Sequence, residues 1–238
     1  MSTVDQFDSD LPSLRARLSA MGGLAEEQLA GALEAVRRRD LQLARRVAAA
    51  DAELDRRDAA VEAAALRLLA LRQPLAQDLR ETVAALRISA ALERVGDLAK
   101  NIARRAESLM DHNRPPAETA IFRMGEIAQR QLADALDAYG ARDVAGALDV
   151  WKRDVTLDEL HNSVFQDLIV DMTRDSRLVS QGAQLLFVAK NIERVGDHTT
   201  CIAEMTYYVA NGRPLSGERP KASASSSIID KETLSTRK

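Results

Sequence analysis

Apolar residues recur at intervals of three, four and seven along almost the whole chain, the signature of amphipathic helices. Leu14, Leu18, Met21, Leu24, Leu29, Leu33 and Val36 draw a first stripe that runs up to Arg39, and Pro12-Ser13 ahead of it predicts the helix start. Asp40 is a good N-cap for the second stripe, Leu43, Val47, Ala50, Leu54, Val61, Ala65 and Leu68. That stripe lasts about 30 residues, or roughly 45 Å of helix. Gln73-Pro74 ends it, because proline has no amide hydrogen and disfavours helix at the residue before it; Pro74 itself is predicted to enter the first turn of the next helix. The third helix carries one stripe of Ile88, Leu92, Val95, Ala99, Ile102 and Ala106 and a second of Leu79, Val83, Leu86 and Ala90. The second stripe continues into Glu93, Asp97 and Asn101, which aims these polar groups at the bundle interior or its edge. The periodicity stops in the turn-rich Asp111-His112-Asn113-Arg114-Pro115-Pro116.

The chain then repeats itself. Met21-Gly22 returns as Met124-Gly125, Gln28-Leu29-Ala30 as Gln131-Leu132-Ala133, Arg39-Asp40 as Arg142-Asp143, and Asp51 and Asp55 as Asp154 and Asp158, all at an offset of 103. After Asp175-Ser176 the offset becomes 100, so the length difference falls in a turn, where length differences are tolerated. An isolated helix cannot bury its stripe, and helices joined by short turns pack antiparallel. The expected fold is therefore all-α: six long helices forming two tandem three-helix bundles related by a pseudo-twofold. The expected boundaries are a tail at 1–12, repeats at 13–112 and 115–212, and a disordered Ser-rich tail at 213–238.

Composition agrees with long packed helices: apolar residues make up 46%, charged residues 29% and aromatics only 3%. The net charge of −3 and the scattering of basic residues argue against nucleic acid as a partner. Cys201 stands alone and no Cys/His spacing suggests zinc, as in a reducing compartment. The amino terminus has no signal-like pattern and no run of about 18 apolar residues occurs, so a cytoplasmic protein without membrane insertion is expected.

The candidate chemistry lies in a doubled pentapeptide. Glu93-Arg94-Val95-Gly96-Asp97 recurs as Glu193-Arg194-Val195-Gly196-Asp197, placing two carboxylates four residues apart on one helix face. The Asp51/Asp55 and Asp154/Asp158 pairs on the preceding helices are each expected to meet the Glu-x-x-x-Asp pair of their own half. At an effective dielectric near 20, two like charges about 4 Å apart repel by about 4 kcal/mol, so protons or cations must neutralise the group. All-oxygen donors favour hard ions such as Mg²⁺, Mn²⁺, Ca²⁺ or iron. The bland alternative is a solvated carboxylate paired with Arg94 or Arg194 at i,i+3. Gly96 and Gly196 suggest a close helix crossing or, as the alternative, access for a ligand, since glycine inside an exposed helix is about 1 kcal/mol worse than alanine. His161 is expected at the surface, His198 and Cys201 as ordinary helix residues, and Trp151 in packing or an interface.

The doubled E-R-V-G-D, the Leu-Arg-Gln-Pro-Leu-Ala-Gln-Asp-Leu-Arg of residues 71–80 and the Ala-Lys-Asn-Ile before Glu193 resemble the PhoU family. The resemblance runs from about residue 12 to 212. It implies two three-helix bundles and metal clusters held by (Glu/Asp)-x-x-x-Asp motifs, here Asp51, Asp55, Glu93 and Asp97 in one unit and Asp154, Asp158, Glu193 and Asp197 in the other. It also implies a non-enzymatic, cytoplasmic, often dimeric regulator that joins a phosphate ABC transporter to a sensor histidine kinase and represses the phosphate-starvation response. Cys201 departs from the Asn of the first copy, so the second site is expected to differ. Metal-bound phosphate and a metal-fixed helix arrangement both remain open as mechanisms. The rivals are a di-metal carboxylate oxidoreductase, which needs Glu-x-x-His pairs that are absent here, and a metal-free helical adaptor.

Overall fold

The computed structural model describes residues 3–109 and 114–216. Six helices follow in order: α1 (Thr3–Arg38), α2 (Leu41–Arg72), α3 (Ala76–Ser108), α4 (Glu118–Ala141), α5 (Val144–Arg174) and α6 (Val179–Asn211). They pack as α1–α3 and α4–α6, with α3 against α6 and α1 against α4 across the seam. The linker at 111–113 and the Ser-rich tail from 217 lie outside the described residues.

Helix starts follow their caps. The Asp40 carboxylate accepts from the amides of Gln42 (2.9 Å) and Leu43 (3.0 Å), and Asp143 accepts from Ala145 (3.0 Å), as an N-cap should. Two expectations need correction. Pro12 does not open α1, which begins at Thr3 and runs through it, and Leu11 just ahead of the proline is buried as Leu14 is, so the helix gains apolar burial on the far side of the bond that proline cannot make. Pro74 does not enter α3 either, since Leu75 is the N-cap and Ala76 the first helical residue. Gln73 turns the chain in the left-handed region at φ 47° instead.

The seam carries the pseudo-twofold in detail. A Cβ on Gly22 would stand 2.9 Å from a Leu136 methyl, and one on Gly125 would stand 2.8 Å from Leu33 methyls, so α1 and α4 approach twice, each time with a leucine over a glycine. Apolar packing is continuous through this contact: Met21, Leu29, Ile88, Met124 and Leu132 belong to one buried cluster. Polar ties close both ends of the seam. Arg39 (φ 57°) and Arg142 (φ 54°) occupy the left-handed positions that end α1 and α4, where glycine is the usual residue. Each sends its side chain to the other repeat. Arg142 meets Glu81, which Arg15 also holds, while Arg39 donates to Gln181 and Glu118, both at 3.0 Å.

Beside the first of these ties lies a cavity of about 630 Å³, lined among others by Leu18, Ile88, Tyr139 and Val209. Burial, and then the charge of Glu81, push the Tyr139 phenol up to about 12, with Arg15 and Arg142 opposing. A phenol raised in the folded state contributes stability that is complete below its unfolded value near 10 and lost as pH climbs through about 12. Phenolate absorbance should therefore carry a step near pH 12 that Tyr139→Phe removes; a wild-type curve without that step, or a variant that keeps it, would contradict the burial argument.

The two arginines allow a matched test. Arg39→Gly and Arg142→Gly each relieve the same backbone strain, of order 1 kcal/mol. Their side chains differ, being 9% and 47% exposed. Arg39→Gly leaves buried Glu118 with only the longer 3.6 Å contact to Arg114, and Arg142→Gly leaves Glu81 with Arg15; because the lost Arg39 pair is the buried one, Arg39→Gly should destabilise more, by about 1 kcal/mol. Urea denaturation of the two variants checks the order.

Candidate functional site

Each doubled motif sits where its helix is crossed most closely. A Cβ on Gly96 would fall against Leu54 Cδ1, inside any real contact distance, 3.0 Å from Gln28 Oε1 and 3.5 Å from Asp51 Oδ1. A Cβ on Gly196 would stand 2.6 Å from Leu157, 2.7 Å from Asp154 Oδ1 and 3.8 Å from Gln131 Oε1. The second set is the first displaced by 103 residues on α4 and α5 and 100 on α6. In each repeat, a glutamine from the first helix, an aspartate from the second and the glycine of the third therefore converge at one point. Gln28, Asp51, Gln131 and Asp154 are all buried. Neither amide atom of Gln28 or Gln131 has a hydrogen-bond partner, and Asp51 Oδ1 has none. A buried polar atom left unpaired costs about 1–3 kcal/mol, so two such glutamines at matched places need an explanation.

The carboxylates behave differently in the two repeats. In the first, the Lys100 ammonium reaches Asp51 Oδ2 and lies 2.6 Å from Asp97 Oδ1, tying α2 to α3. Arg94 meets Asp97 at 3.2 Å, the i,i+3 pair that the bland reading anticipated. For Asp97, burial pulls upward, but the Lys100 hydrogen bond and the charges of Lys100 and Arg94 outweigh it and hold the carboxyl below its usual value. Glu93 goes the other way: burial raises it, Arg94 opposes, and Asp97, Asp55 and Asp58 raise it further. The predicted members of the first cluster are thus neighbours, but a lysine side chain holds Asp51 and Asp97. Asp58 accepts from Ser89 Oγ at 2.7 Å.

In the second repeat, position 200 is a threonine whose hydroxyl donates back to the Asp197 carbonyl at 2.8 Å. Glu193 lies 2.7 Å from Lys190, itself 53% exposed. His161 is not at the surface as expected. It is half-buried, lowered by burial and by Lys190, and opposed by Glu193 and Asp158, because a residue one turn beyond Asp158 on α5 faces α6. His198 is half-buried and lowered by burial, with Asp197 opposing and Arg194 and Arg94 assisting. Cys201 is half-buried and raised by burial. Trp151 packs against the core and donates to Glu204 at 3.2 Å. Among the described residues, no three carboxylate, imidazole or thiol groups are arranged to hold one metal ion in their present rotamers.

The sequence reading missed Gln28, Gln131 and Lys100. The glutamines were visible as a matched pair at offset 103, and Lys100 stands three residues after Asp97; neither signal says where a side chain points.

Comparison with known proteins places this geometry. A profile described as PhoU domain matches residues 18–106 and again 121–206. The chain belongs to the PhoU family. It is 46% identical over 220 residues to the phosphate-specific transport system accessory protein PhoU homolog of Caulobacter vibrioides, covering 92% of this chain and 96% of that one. It is 42% identical to the protein of the same description from Zymomonas mobilis, over 90% of each. The crystal structure of PhoU from Pseudomonas aeruginosa superposes with a TM-score of 0.84 at 33% identity, covering 87% of this chain and 100% of that one. The phosphate transport system regulatory protein PhoU from Streptococcus pneumoniae gives 0.83 at 26%, covering 88% and 99%. These names describe accessory and regulatory proteins and no enzyme, and the all-α, six-helix, doubled fold of PhoU is the one seen here.

The crossing itself can be tested. Gly96→Ala drives a methyl into Leu54 and Gln28 and should destabilise by about 1–3 kcal/mol despite alanine's helix preference. Gly23→Ala, where an added Cβ meets nothing within 4 Å, should stabilise by up to about 1 kcal/mol. Equal shifts in denaturation midpoint for both variants would show that Gly96 is not a contact glycine.

Proposed function

We propose that this PhoU-family chain is an accessory regulator of a phosphate-specific transport system. In this reading it represses the phosphate-starvation response and limits phosphate uptake by coupling the cytoplasmic face of a phosphate ABC transporter to a sensor histidine kinase, and it acts as a homodimer. The observation that carries it is the match to accessory proteins of such systems at 46% identity across both repeats. No helix among the described residues is long and apolar enough to cross a membrane, which fits a protein that reaches its transporter from one side.

Metal binding by Asp51, Asp55, Glu93, Asp97, Asp154, Asp158, Glu193 and Asp197 belongs to the same proposal, with iron, manganese, magnesium or calcium as the ion classes. Support comes from the oxygen donors and the unpartnered amides of Gln28 and Gln131; Lys100, standing between Asp51 and Asp97, counts against it in the first repeat. A hard cation bound there would neutralise the crowded carboxylates and offer phosphate an oxygen-binding position. The chain's own part is to fix those carboxylates by the glycine crossings and to hold them in a partly water-excluded place, where their mutual repulsion is strong.

Deletion of the gene in phosphate-replete cells should raise a starvation-gene reporter, and removing the kinase as well should silence it again. A reporter that stays low after deletion would refute the repressor reading. One that stays high without the kinase would refute the coupling.

A further inference from the structure

The cavity beside the Arg142 tie lies where four helices meet, α1 and α3 of the first repeat and α4 and α6 of the second. We infer that it is a binding site for a small dipolar molecule, one that carries an anionic group and an ammonium group at opposite ends of an apolar middle. The inference stands apart from the transporter and metal readings above.

The charged groups of the cavity are segregated by sign. At one end Arg15 and Arg142 share the single carboxylate of Glu81, so two guanidinium charges meet one negative charge and the excess is positive. Glu81 is 4% exposed, whereas the arginines are 44% and 47% exposed and remain open to a further partner. A guanidinium holds a carboxylate or phosphate through its fork of donors, which makes this end a place for an anion. Glu26 and Asp137 line the same cavity. Burial raises Glu26 and the charge of Asp137 raises it further, with no basic group opposing them. Carboxylates brought together from α1 and α4 without a cation make this end a place for an ammonium. Asp137 and Arg142 stand five residues apart on α4, about 7.5 Å along its axis. Leu18, Ile88, Leu136 and Val209 supply the apolar wall.

The matched end of the seam shows why the space is open here. Ser19, Gly23 and Gly140 all line the cavity, and their counterparts in the other repeat are the larger Phe122, Glu126 and Arg37. The Phe122 ring packs against the core, with the Arg37 guanidinium 4.9 Å from its centre. Arg39, the counterpart of Arg142, is 9% exposed. Side-chain volume that closes one end of the seam is therefore missing from the other. At about 630 Å³ the resulting space falls in the usual range for small-molecule sites. A ligand seated there touches both repeats at once and stabilises their arrangement by mass action.

Titration calorimetry of the full-length protein with three probes of one chain length tests the two-ended recognition: ω-aminooctanoate, octanoate and octylammonium. The amino acid should bind with a Kd at or below about 1 mM, and about tenfold more tightly than either single-charge probe, since each of those lacks one charged contact. Asp137→Asn, at an exposed position, should weaken ω-aminooctanoate and octylammonium about fivefold and leave octanoate unchanged. Arg142→Met should weaken ω-aminooctanoate and octanoate and leave octylammonium unchanged. Ser19→Phe, which copies the residue of the matched end, should abolish binding of all three. Circular dichroism verifies the helices, and should Arg142→Met unfold, Asp137→Asn decides alone. Single-charge probes that bind as tightly as the amino acid, or equal effects of Asp137→Asn on all three, would overturn the two-ended recognition. No binding of ω-aminooctanoate to wild type, or binding that survives Ser19→Phe intact, would overturn the site itself.

Discussion

How near one helix can come to another sets the chemistry of this protein. At Gly96 and Gly196 there is no side chain to hold the neighbouring helix off, so Leu54 and Leu157 press onto the backbone and carry Asp51 and Asp154 with them. An aspartate near the middle of a long helix would ordinarily turn to water. Here leucine packing dictates the crossing, and the aspartate three residues earlier on the same face is drawn in. Burial then raises Glu93, and the fields of Asp97, Asp55 and Asp58 add to it. Local packing thus creates an electrostatic problem that Lys100 answers in the first repeat by lying between Asp51 and Asp97.

Helix positions and the doubled architecture could be read from the sequence because both depend on local, periodic information: a stripe at three-and-four spacing must be buried whatever it packs against. The same holds for Asp40 and Asp143, since a capping carboxylate reaches only its own next residues. The site was half legible. Spacing on one helix placed Glu93 beside Asp97, and repetition tied Asp51 and Asp55 to them. Lys100 was overlooked because its partner Asp51 lies 49 residues away, and only the interhelical distance reveals that an ammonium fits between the two helices. His161 was misjudged for a related reason: its first-repeat counterpart Asp58 reads as surface, and the facing helix decides the matter. Pro12 misled because a breaker was weighed by propensity alone, against a buried Leu11 that a propensity argument does not count.

Duplication has kept shape and redistributed charge. Arg15, Glu81 and Arg142 at one end of the seam occupy the positions of Glu118, Gln181 and Arg39 at the other. The acid moves from α3 to α4, and the supporting base, Arg15 of α1 at one end, is Arg114 just ahead of α4 at the other. What stays constant is an arginine in the left-handed position after the first helix of each repeat, reaching across to the other. Glycine there would relax the backbone, yet it has no side chain to tie the halves together. The same logic separates Lys100 from Thr200: backbone and glycine crossing are held, and the neutralising group changes.

Because α3 packs directly on α6, the two doubled motifs lie on adjoining helices. Arg94, which pairs with Asp97 in the first repeat, also acts on His198, the residue next to Asp197 in the second. The duplication keeps its symmetry at positions 96 and 196, where any side chain would strike the facing leucine, and loses it at position 100, where a lysine ties two carboxylates in one repeat and a threonine bonds to its own helix in the other.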